Sequence, residues 1–161
     1  MADGVLFPLT LVTALGCGLM AGFFFAFSAC VMTSLARLPA TQGIAAMQSI
    51  NVVVINPLVM TIMFGTAVAC LGLVATAPFG WDRPGAVYLL AGGLLYLIGT
   101  VLVTIVFHVP RNDALAAIDA TSAAAATHWA DYVPGWTAGN HVRTITSLAA
   151  AAALTMALIA R

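Results

Sequence analysis

Charged residues divide this chain into four long stretches that contain none, and this spacing constrains the fold more than any other feature. A helix needs about 20 apolar residues to cross the hydrocarbon core of a bilayer. The uncharged stretches run between residues 3 and 37, 37 and 82, 83 and 111, and 143 and 161. The sequence therefore predicts an all-α integral membrane four-helix bundle with spans near residues 8–35, 54–77, 85–109 and 136–160.

The composition excludes two classes of protein, soluble domains and nucleic-acid-binding proteins. Apolar residues make up 63% of the chain and charged residues only 6%, against roughly 45–50% and 25% in a soluble domain. The lipid bilayer is therefore the expected surrounding. The five Arg balance five Asp, and the chain has no Lys, which leaves no basic surface for a nucleic acid. We expect a multi-pass protein of a bacterial inner membrane.

Two connecting segments differ from plain spans. Residues 38–53 are less apolar than a span, and Asn56-Pro57 predicts a bend after them because proline removes a helical hydrogen bond. Residues 110–135 are expected to form a polar loop with a short extra-membrane helix over 114–126. Pro134 suits the first turn of the last span.

Polar side chains that could carry chemistry collect at one membrane face. Polar groups at membrane depth are costly, so they are expected to pair with one another or to line a cavity. In a bundle of four antiparallel spans, the start of the second, the end of the third and the start of the fourth meet at the same face. The candidates there are Asn51, Asn56, His108, Arg111, Asn112, Asn140, His141 and Arg143.

The fourth span has the most informative spacing. Trp136, Asn140 and Arg143 lie on one helical stripe, and His141 belongs to a second stripe rotated by one residue. Asn140 and His141 therefore cannot point the same way, but both can border one cleft. The alternative interpretation is an aromatic belt at the membrane interface with an arginine that reaches the headgroups.

Aromatic side chains accompany the expected cleft. Trp129 and Tyr132 lie just upstream of the fourth span, and Phe23, Phe24, Phe25 and Phe27 form a cluster in the first span. The phenylalanines would contact lipid and the bundle core, or form the walls of a pocket for a flat hydrophobic ligand.

Metal and cofactor ligands show no recognisable pattern. The sequence has neither a His-x-x-x-His spacing nor a Cys-x-x-Cys pair, so we predict no metal site and no cofactor. Copper, iron or haem held by His108 and His141 is the minority alternative. Small residues such as Gly18 and Gly22 suit helix packing inside the bundle or in a homo-oligomer.

Four motifs in the chain belong together. They are GLMAGFFFAFSACVM at 18–32, MQSINVVVINPL at 47–58, VPRNDALA at 109–116, and the stretch from Trp129 through Tyr132 and Trp136 to NHVRT at 140–144. With these motifs the chain resembles the anthrone oxygenase-like family of small four-helix membrane proteins. Two positions depart from the family pattern. His108 stands where many relatives have Asn, which argues against a catalytic role for it throughout the family, and Gly139 stands where many have a large residue, so a wider pocket is expected here.

The resemblance implies a membrane-embedded oxygenase that converts a lipophilic anthrone-like or hydroquinone-like hydroxyaromatic to a quinone with dioxygen, without a known organic cofactor. Under this interpretation His141 is the base that removes a proton, and Asn140 with Arg143 holds the resulting oxyanion. His108, facing His141 across the cleft, is a further candidate acid, base or ligand.

The same interpretation assigns substrate binding to side chains around the cleft, through ring stacking or through hydrogen bonds to phenol groups. The alternative function is a non-catalytic membrane protein that binds a lipophilic ligand or is a subunit of a larger membrane complex. The expected substrate-binding residues are Trp129, Tyr132, Trp136, Asn51, Asn56, His108, Arg111 and Asn112, with the last two closing the mouth of the cleft.

Overall fold

The described part of the chain, residues 2–160 of a computed structural model, consists of helices and their connections and contains no strand. It has four helical segments that are long and apolar enough to cross a membrane. These are the first to fourth spans, Gly4–Leu35, Pro57–Gly80, Ala86–Ala116 and Ala125–Ile159. The all-α four-span membrane architecture predicted from the uncharged stretches is confirmed.

The first and third spans contain π-helical turns, in which each backbone hydrogen bond reaches one residue further than in an α-helix. The first span is α1 (Ala2–Ala26), the π-helical turn Phe27–Val31 and α2 (Met32–Leu35). A connecting helix, α3 (Ala40–Val53), precedes the second span, which is α4 (Pro57–Thr76) and the 3-10 turn Ala77–Gly80. The third span is α5 (Ala86–Tyr96), the π-helical segments Leu97–Leu102 and Thr104–His108, and α6 (Val109–Ala116), and the fourth is α7 (Ala125–Ile159).

The bend expected at Asn56-Pro57 is confirmed. α3 ends at Val53, and α4 begins at Pro57. Proline suits this first position, because a backbone N–H there would have no partner within the helix. The Asn56 side chain accepts a hydrogen bond from the Val59 N–H at 3.1 Å and so caps α4. Its amide also donates to the Val53 carbonyl at 3.0 Å, which fixes the angle between the two helices.

The polar stretch 110–135 is mostly helical, and this corrects the loop predicted there. The short helix of this region is α6, at Val109–Ala116 instead of 114–126, and it continues the third span directly. α7 already begins at Ala125, so Pro134 lies inside it and not in its first turn. Proline is tolerated inside membrane helices because neighbouring groups can satisfy the carbonyl that it leaves free.

The spans form a ring in which α7 packs on α1 and α5, and α4 closes the ring against the same two helices. Gly92 brings α5 against α7, since a Cβ there would lie 3.1 Å from the Ala150 carbonyl oxygen. A second hydrophobic cluster lies at one end of the bundle, where α2, α3, α6 and the start of α7 meet. This end is called the α3 end.

Candidate functional site

A cavity of about 210 Å³ opens at the α3 end of the bundle. Helices of all four spans and α3 contribute to its wall, and most of the wall side chains are aromatic, aliphatic or methionine. An apolar wall with a few polar groups is typical of sites that bind small organic ligands. The polar members of the wall are Asn51, Thr104, His108, Asn112 and Arg143.

Arg143 is held in the cavity wall by a short chain of hydrogen bonds. Its Nη2 donates to Asn140 Oδ1 at 2.7 Å, and its Nη1 donates to Thr104 Oγ1 at 3.3 Å. The Asn140 amide nitrogen in turn donates to the Phe24 carbonyl at 2.7 Å and to Ser28 Oγ at 2.6 Å. Asn140 therefore has no group left for a ligand and acts by positioning Arg143 against the first span.

The guanidinium of Arg143 is buried without a carboxylate partner. The side chain is only 6% exposed, and it forms no ion pair within residues 2–160. Its charge rests against aromatic rings, 4.3 Å from the centroid of Phe24 and 5.4 Å from that of Trp136. Its Nε has no hydrogen-bond partner. Ring contacts compensate a buried cation only in part, because each contributes about 0.5–2 kcal/mol.

His108 lies in the same wall, at the last position of the π-helical segment Thr104–His108. The ring is 1% exposed and packs edge-on against Trp136, with 5.0 Å between ring centroids. No side chain of another described residue hydrogen bonds to its ring nitrogens, and the backbone of Gly139 is the polar group beside the ring. A buried imidazole that keeps a nitrogen free is available to a ligand, and π-helical turns are frequent at functional sites.

Gly139 allows the third span to approach α7 at this point. A Cβ on residue 139 would overlap the Phe107 ring and lie 3.1 Å from His108 Nε2. A side chain here would therefore push His108 out of its place in the cavity wall. Gly139 does not line the cavity, so the small residue marks a close contact between helices and does not widen the pocket.

The Gly139→Val variant should be less stable than the wild type by about 1–3 kcal/mol, since overpacking displaces rigid neighbours. The matched control is Ala138→Val, because Ala138 is the exposed neighbour on the same helix. Thermal unfolding in detergent measures both variants. Equal unfolding midpoints for the two variants would contradict the close contact at Gly139.

Asn112 organises the mouth of the cavity. Its Oδ1 accepts hydrogen bonds from Tyr132 Oη at 2.9 Å and from Trp136 Nε1 at 3.0 Å, which ties α6 to α7. Trp129 stacks on Tyr132 with ring centroids 5.7 Å apart, outside the residues that line the cavity. Tyr132 and Trp129 thus support the mouth from behind, while Trp136 and Asn112 face the cavity.

The cavity reaches the outer surface of the bundle between α4 and α6. Three of its lining residues are partly exposed there, Ile55 at 71%, Phe64 at 46% and Val109 at 44%. α4 packs along α5 and the segment Leu97–Leu102, but it has no comparable packing on α6. The two helices therefore leave an apolar gap on the surface that faces lipid.

Besides Trp129 and Tyr132, three more residues predicted for the site do not line the cavity. His141 is exposed on the outside of α7 and does not line the cavity, so it does not border the cleft as expected. Asn56 is engaged as the cap of α4. Arg111 is exposed, donates to the Phe107 carbonyl at 3.1 Å and lies over the Phe107 ring, 3.5 Å from its centroid.

Sequence reasoning missed two supporting residues, Ser28 and Thr104, which hydrogen bond to Asn140 and Arg143. Gln48, one of the polar residues of the segment 38–53, donates to the carbonyls of Leu115 and Ile118 at 2.9 and 3.0 Å. Gln48 thereby holds α3 to the end of α6. The signal for Ser28 was its place on one helical face with Phe24, but a single hydroxyl in a span is too common to identify a site.

The phenylalanine cluster of the first span divides between the two environments expected for it. Phe23, Phe24 and Phe27 line the cavity, as the walls of a pocket would. Phe25 is 61% exposed on the outer surface. A larger cavity of about 660 Å³ lies at the opposite end of the bundle and contains none of the predicted site residues.

Candidate metal ligands do not gather in the described part of the chain, where no group of three or more His, Cys, Asp or Glu side chains could hold an ion. His108 and His141, the pair considered for copper, iron or haem, differ in environment. His108 is buried in the cavity wall, and His141 is on the outer surface of α7.

Comparison with protein families gives a match to the family described as anthrone oxygenase, over residues 54–153. The matched region covers α4 to α6 and α7 as far as residue 153, and it includes His108, Asn112, Asn140 and Arg143. Comparisons with curated proteins and with solved structures give no match. Because the family model covers more than half of the chain, the chain belongs to the anthrone oxygenase family.

Proposed function

We propose that this protein is a membrane-embedded oxygenase that converts a lipophilic anthrone-like hydroxyaromatic to a quinone with dioxygen. One observation carries the proposal: an arginine without a counterion and an imidazole without a side-chain hydrogen-bond partner line the same apolar cavity. Membership of the anthrone oxygenase family supports this class of reaction. A hydroquinone is the related substrate that the same groups would serve.

In the proposed reaction His108 takes the role first expected of His141. Its imidazole accepts a proton from the acidic ring methylene of the substrate, and the electron pair left behind delocalises to the ring oxygen as an enolate. Arg143 stabilises the negative oxygen, because a fixed cation acts strongly in a site that excludes water. Asn140 is a positioning residue for Arg143, and the unpartnered amide nitrogen of Asn51 donates to a second substrate oxygen.

Dioxygen then takes one electron from the enolate, and the two radicals combine at the ring carbon to give a peroxide anion. The imidazolium of His108 returns its proton to this peroxide. Loss of the second methylene proton and cleavage of the O–O bond produce the quinone carbonyl and one water. The substrate supplies all four electrons that dioxygen accepts, so the proposed reaction requires no further reductant and no cofactor.

The apolar gap between α4 and α6 gives a lipophilic substrate a route from the bilayer into the cavity. Ile55, Phe64 and Val109 border this gap. A substrate dissolved in the lipid would thus reach Arg143 and His108 without crossing water. The bacterial inner membrane is the proposed location.

The test is oxygen uptake by the purified protein in liposomes, with a panel of anthrones and hydroquinones and with labelled ¹⁸O₂. For an anthrone we expect one dioxygen consumed per quinone formed, with one labelled atom in the new carbonyl and the other in water. Protein-free liposomes correct for uncatalysed oxidation. Uptake that never exceeds that background, together with a lipophile that copurifies, would favour the non-catalytic binding protein instead.

A further inference from the structure

The charge balance around the cavity is incomplete. Arg143 is the cation of the cavity wall, and the four Asp whose side chains the structure describes, at positions 82, 113, 119 and 131, are all exposed. A buried charge is unfavourable unless a counterion and hydrogen bonds compensate it. The wall of this cavity therefore has one uncompensated positive charge that a negative ligand would balance.

The hydrogen-bonding groups beside Arg143 also favour a negative ligand, because unpaired donors outnumber free acceptors there. Arg143 Nε is a buried donor without an acceptor, and Asn51 Nδ2, which lies beside the Tyr132 hydroxyl, forms no hydrogen bond of good geometry. Two acceptors in the wall are already occupied, since Asn112 Oδ1 receives two hydrogen bonds and Thr104 Oγ1 receives one from Arg143. Ligand atoms that complete the wall beside the guanidinium are therefore acceptors, as oxyanions are, while the neutral imidazole of His108 remains able to accept a proton.

The position of the charge is fixed before a ligand arrives. Asn140 is fully buried and joins Arg143 to the first span through Phe24 and Ser28. A cation held in place by its neighbours stabilises negative charge without first rearranging. The rings of Phe24 and Trp136 beside the guanidinium provide the apolar surface that a flat ligand would cover.

From these three features we propose that the cavity is a binding site for lipophilic aromatic monoanions, in which a phenolate, enolate or carboxylate oxygen pairs with Arg143. The inference deepens the proposed function and rests on it for the biological ligand, since the enolate intermediate is such an anion. A site complementary to that intermediate binds stable anions of the same form more tightly than neutral molecules.

The experiment compares two isosteric ligands, 2-naphthoate and 2-naphthamide, with purified full-length protein in detergent under nitrogen, where no oxidation occurs. Quenching of tryptophan fluorescence reports binding, because Trp136 lines the cavity. The wild type should bind the carboxylate about tenfold or more tightly than the amide, as expected for a charge-assisted hydrogen bond. Partition of either ligand into the micelle is the same for all variants and cancels in the comparison.

The variants separate the cavity charge from surface charge. In Arg143→Gln the preference for the carboxylate should disappear, and in Arg143→Lys it should remain in part. Arg37→Gln, which removes an exposed arginine at the same end of the bundle, should keep the full preference. An equal preference in the wild type and in Arg143→Gln would overturn the proposal, and so would a wild type that binds both ligands equally.

If Arg143→Gln fails to fold, the carboxylate preference of Arg143→Lys, compared with those of the wild type and Arg37→Gln, decides the matter. The outcome is also independent of catalysis. Carboxylate preference without oxygen uptake would leave the anion site standing while the proposed oxygenase fails. Oxygen uptake by a protein that binds the carboxylate and the amide equally would support the proposed oxygenase and overturn the anion site.

Discussion

Replacing His108 with Phe should lower the rate of oxygen uptake with an anthrone by about 10²–10⁴-fold, the range that a positioned acid or base contributes. Phe keeps an aromatic ring against Trp136 and Phe107 and removes both ring nitrogens, which have no side-chain partner, although its ring is one atom larger. Fluorescence titration with 2-naphthoate should show little change in affinity, because Arg143 is intact. The loss should therefore fall on the catalytic rate and not on binding.

Two other histidines make this prediction specific. The base predicted from sequence, His141, lies on the outer surface of α7, so His141→Phe should keep the wild-type rate. His128→Phe is the matched control at another exposed position. If His141→Phe lost activity while His108→Phe kept it, the assignment from the structure would be wrong and the one from the sequence right.

Much of the fold could be predicted from sequence because charge is so costly in lipid. The four uncharged stretches locate the spans, and Asn56-Pro57 locates the bend before α4. The third connection could not be located in the same way. α6 and the start of α7 are polar, so the helices continue beyond the apolar stretches by which the spans were located. Pro134 is also misleading, because proline is common in the first turn of a helix but here lies inside α7.

The part of the site that lies on one regular α-helix could be predicted from the sequence. Trp136, Asn140 and Arg143 follow the spacing of an α-helix, and the structure brings Trp136 and Arg143 to the cavity with Asn140 behind them. The prediction for His141 is wrong for the same geometric reason. Successive side chains on an α-helix point about 100° apart, so the residue after Asn140 points to the outer surface.

His108 illustrates what helical periodicity cannot reveal. It closes a span that contains two π-helical segments, and each such turn shifts the direction of every later side chain relative to a regular α-helix. No spacing rule places His108 beside Trp136, because the contact is between distant parts of the chain and depends on the close approach at Gly139. The absence of a counterion for Arg143 is likewise visible only once the positions of the Asp side chains are known.

Replacing Arg143 with Gln should lower oxygen uptake by about 10²–10³-fold, the usual effect of removing one donor that stabilises an oxyanion. Gln keeps an amide donor toward Asn140 and removes the charge. Because a buried, unpaired cation is unfavourable to folding, the thermal unfolding midpoint in detergent should not fall with the activity. A lower midpoint with unchanged uptake would show that Arg143 serves the fold and not the reaction.

Arg143→Lys tests whether charge or geometry matters more. Lysine restores the positive charge but not the planar fork that donates to both Asn140 and Thr104. We expect a rate about tenfold above that of Arg143→Gln and below that of the wild type, since charge-assisted hydrogen bonds are roughly twice as strong as neutral ones. Equal rates for the Lys and Gln variants, both below the wild type, would mean that the planar geometry of the guanidinium is required and that a positive charge by itself does not stabilise the enolate.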